Sequence, residues 1–187
     1  MKNRIVVFAN QKGGVGKSTL CILFANYLAY KHKPVCIIDT DLQKTIMSQR
    51  AKDAEVFEDE EPYSVQDFDV TDPETMQQLM ENAQEFDGYV LFDAPGNIKD
   101  DGLAVMLAYA DAIVCPYEYE TKSLVSTQTF VGVLEQLREL NPQMKARLFL
   151  VPNKVDTRIG TAAEWKAWME HERVLAQHGT VTPRAGY

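Results

Sequence analysis

The sequence predicts an α/β fold in three layers, with helices covering both faces of a mostly parallel sheet. Three observations point that way. Short apolar runs, several rich in β-branched residues, recur at Arg4 to Ala9, Val35 to Asp39, Tyr89 to Asp93, Ala112 to Pro116 and Arg147 to Pro152, as strands buried on both faces require. The segments between them carry apolar side chains at helical spacing, so strand and helix alternate. The second and third runs end in aspartate and the first runs into a glycine-rich loop, which puts polar chemistry at the carboxyl ends of the strands.

Each element follows from local chemistry. After the first strand and the loop, Ser18 to Tyr30 reads as a helix, and Lys33-Pro34 closes the turn into the second strand. Gln43 to Lys52 reads as the next helix. Asp53 to Pro62 is a charge run without periodicity and is expected to be a solvated loop, followed by a short alternating strand near Val65 to Val70. Thr71-Asp72-Pro73-Glu74 starts a helix, with Thr71 or Asp72 as N-cap and Pro73 in the first turn, and that helix ends before Gly88. Asp101 to Tyr109 and Ser123 to Leu140 are the following helices, the second stopped by Asn141-Pro142. Ala162 to His178 is the last helix, with Gly179 as its C-cap, and Thr180 to Tyr187 is a final strand or an arm.

At 187 residues the chain fits one domain, residues 1 to 187, with a sizeable core. No apolar stretch approaches the roughly 18 residues of a membrane span, and the N-terminus lacks the regions of a signal peptide, so the expected location is cytoplasmic. Cys21, Cys36 and Cys115 are odd in number, far apart and set in apolar surroundings, which suits reduced core thiols better than disulfides or a metal site. The three histidines have no ligand spacing either. The net charge of −8 hides a segregation. Residues 1 to 52 hold nine basic and two acidic residues, net +7, whereas residues 53 to 101 hold one and sixteen, net −15. Residues 102 to 143 come to −3 and residues 144 to 187 to +3. The positive ends could attract a polyanion that the acidic middle would repel.

Residues 11 to 19, Gln-Lys-Gly-Gly-Val-Gly-Lys-Ser-Thr, form a phosphate-binding loop between a strand and a helix. Gly13, Gly14 and Gly16 let backbone N–H groups converge on phosphate oxygens, Val15 and Thr19 complete the cradle, and the helix N-terminus adds positive dipole. Lys17 is expected to bridge the β and γ phosphates and Ser18 to bind magnesium. The usual opening glycine is replaced by Gln11, and Lys12 adds a cation where one subunit already has enough. This Lys-Gly-Gly-x-Gly-Lys-Ser arrangement resembles the deviant Walker A motif of the ParA/MinD family, and the preceding Phe-Ala-Asn-Gln is ParA-like. The resemblance implies a P-loop NTPase of the signal-recognition and ParA type, in which Lys12 contacts phosphate across an ATP-sandwiched homodimer. It implies ATP and Mg²⁺ as cofactors.

Further pieces fit the same site. Asp39 and Asp41, in Ile-Ile-Asp-Thr-Asp-Leu-Gln, can hold magnesium through water and orient the attacking water; by resemblance, Asp41 activates water and Asp39 belongs to the magnesium shell. Leu42 stands where the family has proline. The plainer alternative is that the two aspartates cap the helix from about Gln43. Tyr89 to Gly96 reads as a Walker B strand and switch loop, with Asp93 toward magnesium and the Gly96 N–H toward the γ-phosphate. Asn153, in Val-Pro-Asn-Lys-Val-Asp, matches an asparagine that holds the adenine edge in related folds, with Pro152 packing nearby. An ordinary turn is the alternative, and Asn-Lys-x-Asp also reads guanine in GTPases, so guanine stays open although Lys12 and the Asp39/Asp41 pair favour ATP. Cys115-Pro116-Tyr117-Glu118 resembles the family's strand-end segment ahead of a helix that lines the dimer interface. Trp165 and Trp168 suit core packing better than stacking on a nucleic acid.

The resemblance spans residues 4 to 156 and implies a slow, partner-stimulated ATPase that positions DNA, with non-specific DNA and a ParB-like protein as partners. Lys145, Arg147, Lys154, Arg158, Lys166, Arg173 and Arg184 are the candidate DNA-facing cations. A MinD-like membrane role would want a basic amphipathic C-terminal helix, which this chain lacks. The rivals are a regulatory switch that recruits a protein without touching DNA, and a small-molecule ligase or kinase on the same scaffold. The family carries further helices after the last strand, so a trimmed C-terminus is expected.

Overall fold

The structure, a computed structural model, describes residues 3–56, 61–69, 72–96, 101–156, 158 and 160–182, with backbone only for 54–56. Among these, seven parallel strands form one sheet in the order β3-β2-β4-β1-β5-β6-β7. The strands are β1 (Arg4–Phe8), β2 (Val35–Asp39), β3 (Ser64–Asp67), β4 (Tyr89–Asp93), β5 (Ala112–Tyr117), β6 (Arg147–Pro152) and β7 (Thr180–Val181). The helices between them are α1 (Lys17–Tyr30), α2 (Thr45–Val56), α3 (Pro73–Glu85), α4 (Asp101–Tyr109), α5 (Thr121–Leu140) and α6 (Ala162–Leu175).

The period-2 alternation of each strand divides the core in two. Ile5, Val7, Ile38, Val90 and Phe92 face a cluster with Met76 and Met80 of α3, Met106 and Leu107 of α4, and Phe130 and Leu134 of α5. Val6, Phe8, Ile37 and Leu91 face the other side, against Cys21, Ala25 and Leu28 of α1 and Ile46 of α2. That is the three-layer arrangement the sequence predicts. Register then brings strand ends together: Phe8 of β1 and Asp39 of β2 both pair with Asp93 of β4. Chemistry carried just beyond these residues converges at the carboxyl end of the sheet's interior strands.

Several boundaries differ from the sequence expectation. Helix α2 starts at Thr45, because Lys44 takes a left-handed φ of 45° and the Asp39 carboxylate accepts from the N–H groups of Ile46 and Met47. It also runs past Lys52 into the charge run expected as loop, with Gln49 Nε2 donating to Asp53 Oδ1 at 2.8 Å. Charge alone does not stop a helix whose neighbours pair at i,i+4 spacing. Asp72 is the N-cap of α3, its carboxylate accepting from Thr75 N. Thr71 and Val70 lie outside the described residues. Helix α6 ends at Leu175, three residues early, and Gly179 is not its C-cap. A Cβ on Gly179 would lie 2.8 Å from the Leu148 carbonyl, so the glycine is there because the chain passes tightly over β6.

Candidate functional site

The loop between β1 and α1 wraps the rim of a cavity of about 580 Å³. Gly14 and Gly16 hold φ values of 78° and 98°, which a side chain would resist, and Gly16 is the left-handed N-cap that turns the loop into α1. A Cβ on Gly16 would also meet Asn153 Nδ2 at 2.3 Å. Gly13, Gly14, Gly16, Lys17, Ser18 and Thr19 line the cavity, and Asp41 and Gly96 face them from the loops after β2 and β4. Val15 is buried behind the loop. Lys17 is only 6% exposed, and a Cβ on Gly96 would stand 3.7 Å from both its Nζ and the Gly13 amide. The sequence-predicted cradle and switch glycine are therefore adjacent.

The acidic residues divide by what they already hold. Asp93 is fully buried, and among the described residues neither carboxylate oxygen has a hydrogen-bond partner of ordinary geometry. The Ser18 hydroxyl lies close enough to favour the ionised carboxylate. Burial pushes the Asp93 carboxyl up to about 7, against the pull of Ser18 and of the Lys17 cation. An orphaned carboxylate beside a phosphate-binding loop fits a bound divalent cation. Asp39 differs, because its oxygens accept from the N–H groups of Asp41, Ile46 and Met47 at 3.1 to 3.3 Å. Burial raises its carboxyl and those three amides lower it. The capping alternative thus describes Asp39 in this structure, and Asp93 has the open oxygens. Asp41 is half-buried and lines both the main cavity and an adjoining hollow of about 360 Å³, with its Oδ1 accepting from Gln43 N at 3.0 Å.

The Asp93 shift has a sign that can be tested. Between about pH 4 and 7 the unfolded chain carries this carboxylate ionised while the folded chain keeps it protonated, so its contribution to stability falls as pH rises through that window. A divalent cation held by Asp93 would have to displace the proton, so any magnesium-dependent part of nucleotide affinity is expected to drop about tenfold from pH 8 to pH 6. Proton release, counted calorimetrically in buffers of different ionisation enthalpy, checks this. Asp93→Asn should lose the release and melt higher than the wild type at pH 8 without nucleotide.

Three positioning residues were not foreseen in these roles. Asn10 is buried, donates to the Pro116 carbonyl at 2.6 Å and to Thr127 Oγ1 at 3.1 Å, and accepts from Lys12 N, so it anchors the front of the loop to β5 and α5. Thr40 donates through Oγ1 to the Asp93 carbonyl at 2.7 Å, locking the β2 end to the β4 end. Lys154, counted by sequence among DNA-facing cations, lines the nucleotide-sized cavity and hydrogen-bonds to the Gly14 carbonyl. A signal for it was present, since Asn-Lys after a strand end is itself a site pattern. Asn153 Nδ2 donates to the Val15 carbonyl at 2.8 Å, so this asparagine braces the loop, with buried Pro152 beside it.

Lys12 stands apart. It is not among the residues lining the cavity, and its Nζ forms ion pairs with Glu118 and Glu120 after β5. The Lys12 amine in turn holds the Glu120 carboxyl below its usual range. Trp165 and Trp168 pack edge to face at 4.9 Å with Tyr119 against both, the packing alternative for that pair. Among the described residues no helix is long and apolar enough to cross a membrane.

Parallel α/β topology with a glycine cradle at a helix N-terminus defines a P-loop nucleotide-binding protein. Residues 6–178 match the CobQ/CobB/MinD/ParA nucleotide-binding domain, and the chain belongs to that family. It is 32% identical over 173 residues to the chromosome-partitioning ATPase Soj of Thermus thermophilus, an alignment covering 80% of this chain and 69% of Soj. Two solved structures share the fold. A plasmid partition protein from Borrelia burgdorferi superposes with a TM-score of 0.70 at 20% identity, covering 100% of this chain and 91% of that one. The ATP complex of a Cyanothece McdA variant superposes with a TM-score of 0.74 at 16% identity, covering 98% and 83%.

Proposed function

We propose that this chain is a ParA-like ATPase that dimerises around ATP and uses the dimer as a signal to position DNA, whether plasmid, chromosome or mobile element. The observation that carries it is the separation of two lysines in one loop: Lys17 lines the cavity and Lys12 is turned out of it. Phosphates seated on residues 13 to 19 already meet a buried cation and a helix N-terminus. Lys12 is then the group left to reach a facing subunit's phosphates. Magnesium would be held by Asp93 and the Ser18 hydroxyl, with Asp39 behind them, and would neutralise phosphate charge. Asp41 orients the attacking water, the Gly96 N–H senses the γ-phosphate, and Asn153 and Pro152 border the base. Slow hydrolysis ends the dimer, because binding energy goes into assembly more than into turnover. The free, buried cysteines are in keeping with a reducing cytoplasm.

Gel filtration with and without ATP·Mg²⁺ tests the switch. Lys12→Ala is expected to bind ATP with little change and to stay monomeric; a Lys12→Ala dimer as tight as wild type would sink the cross-subunit role. The DNA arm is tested on whichever species forms, by retention of unrelated duplexes at low salt with affinity falling steeply as salt rises. A ParB-like protein is the expected stimulating partner.

One observation favours a second reading, a switch that recruits a protein without DNA. The candidate cations do not make one patch: Lys145 and Arg147 lie at the start of β6 and Lys154 and Arg158 beyond its end, roughly 20 Å apart by strand rise. Lys154, Arg158 and Arg173 are also paired with Glu118, Asp156 and Glu170. Arg184 lies outside the described residues. No duplex retained by the ATP dimer would select this reading.

A further inference from the structure

Lys12 is engaged by carboxylates of its own subunit. Its Nζ hydrogen-bonds to Glu120 Oε2 and lies 3.7 Å from Glu118 Oε2, while Glu118 Oε1 lies 3.0 Å from Lys154 Nζ, which itself bonds to the Gly14 carbonyl. Two lysines and two glutamates therefore tie together the front of the phosphate loop, the segment after β5 and the segment after β6. The glutamates are built for this. Ser123, fully buried in the first turn of α5, accepts from the Glu118 amide at 3.0 Å, and the Glu120 amide donates to the Glu118 carbonyl at 2.8 Å. Glu120 is the N-cap residue of α5, and its side chain makes no capping hydrogen bond. A glutamate at an N-cap is a poor match for the helix amides, so its carboxylate is free to reach elsewhere. Here it turns to Lys12.

We infer that Glu118 and Glu120 form a latch that keeps Lys12 on its own subunit until nucleotide is bound, and that dimerisation requires Lys12 to be handed from these carboxylates to the facing subunit's phosphates. This rests on the cross-subunit reading of Lys12 and names its regulation. Among the described residues the charges facing Lys12 are Glu118 and Glu120, with Lys154 on the far side of Glu118 and Lys122 beside Glu120. The Lys12 and Glu118 side chains are 23% and 21% exposed, and Glu120 is 51% exposed. The Glu120 contact is half open to solvent, and the better shielded Glu118 contact is 3.7 Å long, beyond hydrogen-bond range, so a magnesium-bound triphosphate can displace both, which suits a latch and not a permanent brace. Since each dimer releases two latches, a severalfold effect per subunit is squared in the dimerisation equilibrium.

The test is the double variant Glu118→Gln/Glu120→Gln, followed by sedimentation through an ATP·Mg²⁺ titration. The apparent dimer dissociation constant is expected to fall about tenfold. Removing two negative charges near a phosphate site could assist ATP by itself, so the same pair of substitutions is placed in Lys12→Ala, where nucleotide affinity should not move. An equal gain there would assign the effect to general charge and overturn the latch. A direct readout needs no dimer: acylation of Lys12 in nucleotide-free protein, followed by peptide mass spectrometry, should be severalfold faster in the double variant. Unchanged labelling overturns the latch. A wild type that dimerises with ATP beside a double variant with the same midpoint refutes the latch alone, whereas a wild type that never dimerises refutes the cross-subunit reading and the latch with it.

Discussion

Lys17→Ala is expected to lower affinity for ATP·Mg²⁺ by at least about 100-fold, with the fold intact by circular dichroism. Lys17 is 6% exposed and its Nζ lies beside Gly96 at the cavity wall, so the side chain is largely desolvated by the fold itself. Charge-assisted hydrogen bonds to phosphate formed by a desolvated donor contribute about 1.5–3 kcal/mol each, and a bridging lysine makes more than one. The neighbourhood adds to the loss. Lys17 is one of the groups opposing the upward shift of Asp93, so its removal leaves that carboxyl more firmly protonated and less able to accept a cation. The contrast with Lys12→Ala is the diagnostic feature, and calorimetry on the two variants side by side measures it. Equal loss of binding in both would mean that the two lysines serve one phosphate site.

Asp41→Asn should bind ATP, assemble as the wild type does, and hydrolyse at least about 100-fold more slowly. A positioned carboxylate that takes a proton from water contributes roughly 10²–10⁴ to rate, and the amide keeps the shape while removing the basicity. The geometry favours Asp41 over Asp39, whose two oxygens are occupied by three backbone amides, whereas Asp41 lines the cavity with one oxygen in a turn to Gln43. Single-turnover phosphate release separates chemistry from product loss. Unchanged turnover would remove Asp41 from the reaction, and Asp39→Asn, expected instead to lower stability by uncapping α2, would then be the next variant to measure.

The chain's local chemistry was sufficient for the strands, for the glycine loop and for the order of the motifs. Buried parallel strands announce themselves as short apolar runs, and Gly13, Gly14 and Gly16 ahead of Lys17 and Ser18 have few other uses at a strand-to-helix turn. The sequence also placed Asp39 and Asp93 at strand ends. It was register that put them side by side, since both pair across β2 and β4 and only hydrogen-bonded neighbours share a level. Helix ends were less legible. The start of α2 depends on Asp39 reaching seven and eight residues ahead, and Gly179 answers to Leu148 across the sheet, contacts that no local window contains.

What tertiary structure alone decided is the state of each charge. In sequence Asp39, Asp41 and Asp93 are three equivalent carboxylates, and Lys12, Lys17 and Lys154 three equivalent amines. In the fold, Asp39 caps a helix, Asp93 is sealed with no hydrogen-bond partner among the described residues, Lys17 is buried at the cavity wall, Lys154 braces the loop, and Lys12 is bound to Glu118 and Glu120, 106 and 108 positions away in the chain. Ionic behaviour depends on burial and on partners brought close by long-range packing, because desolvation and Coulomb terms are set within a few ångströms in space and take no account of distance along the sequence. Residue type and spacing therefore determined the class of ligand, and the packing of β5, β6 and α5 around the loop determined which charged groups remain available to it.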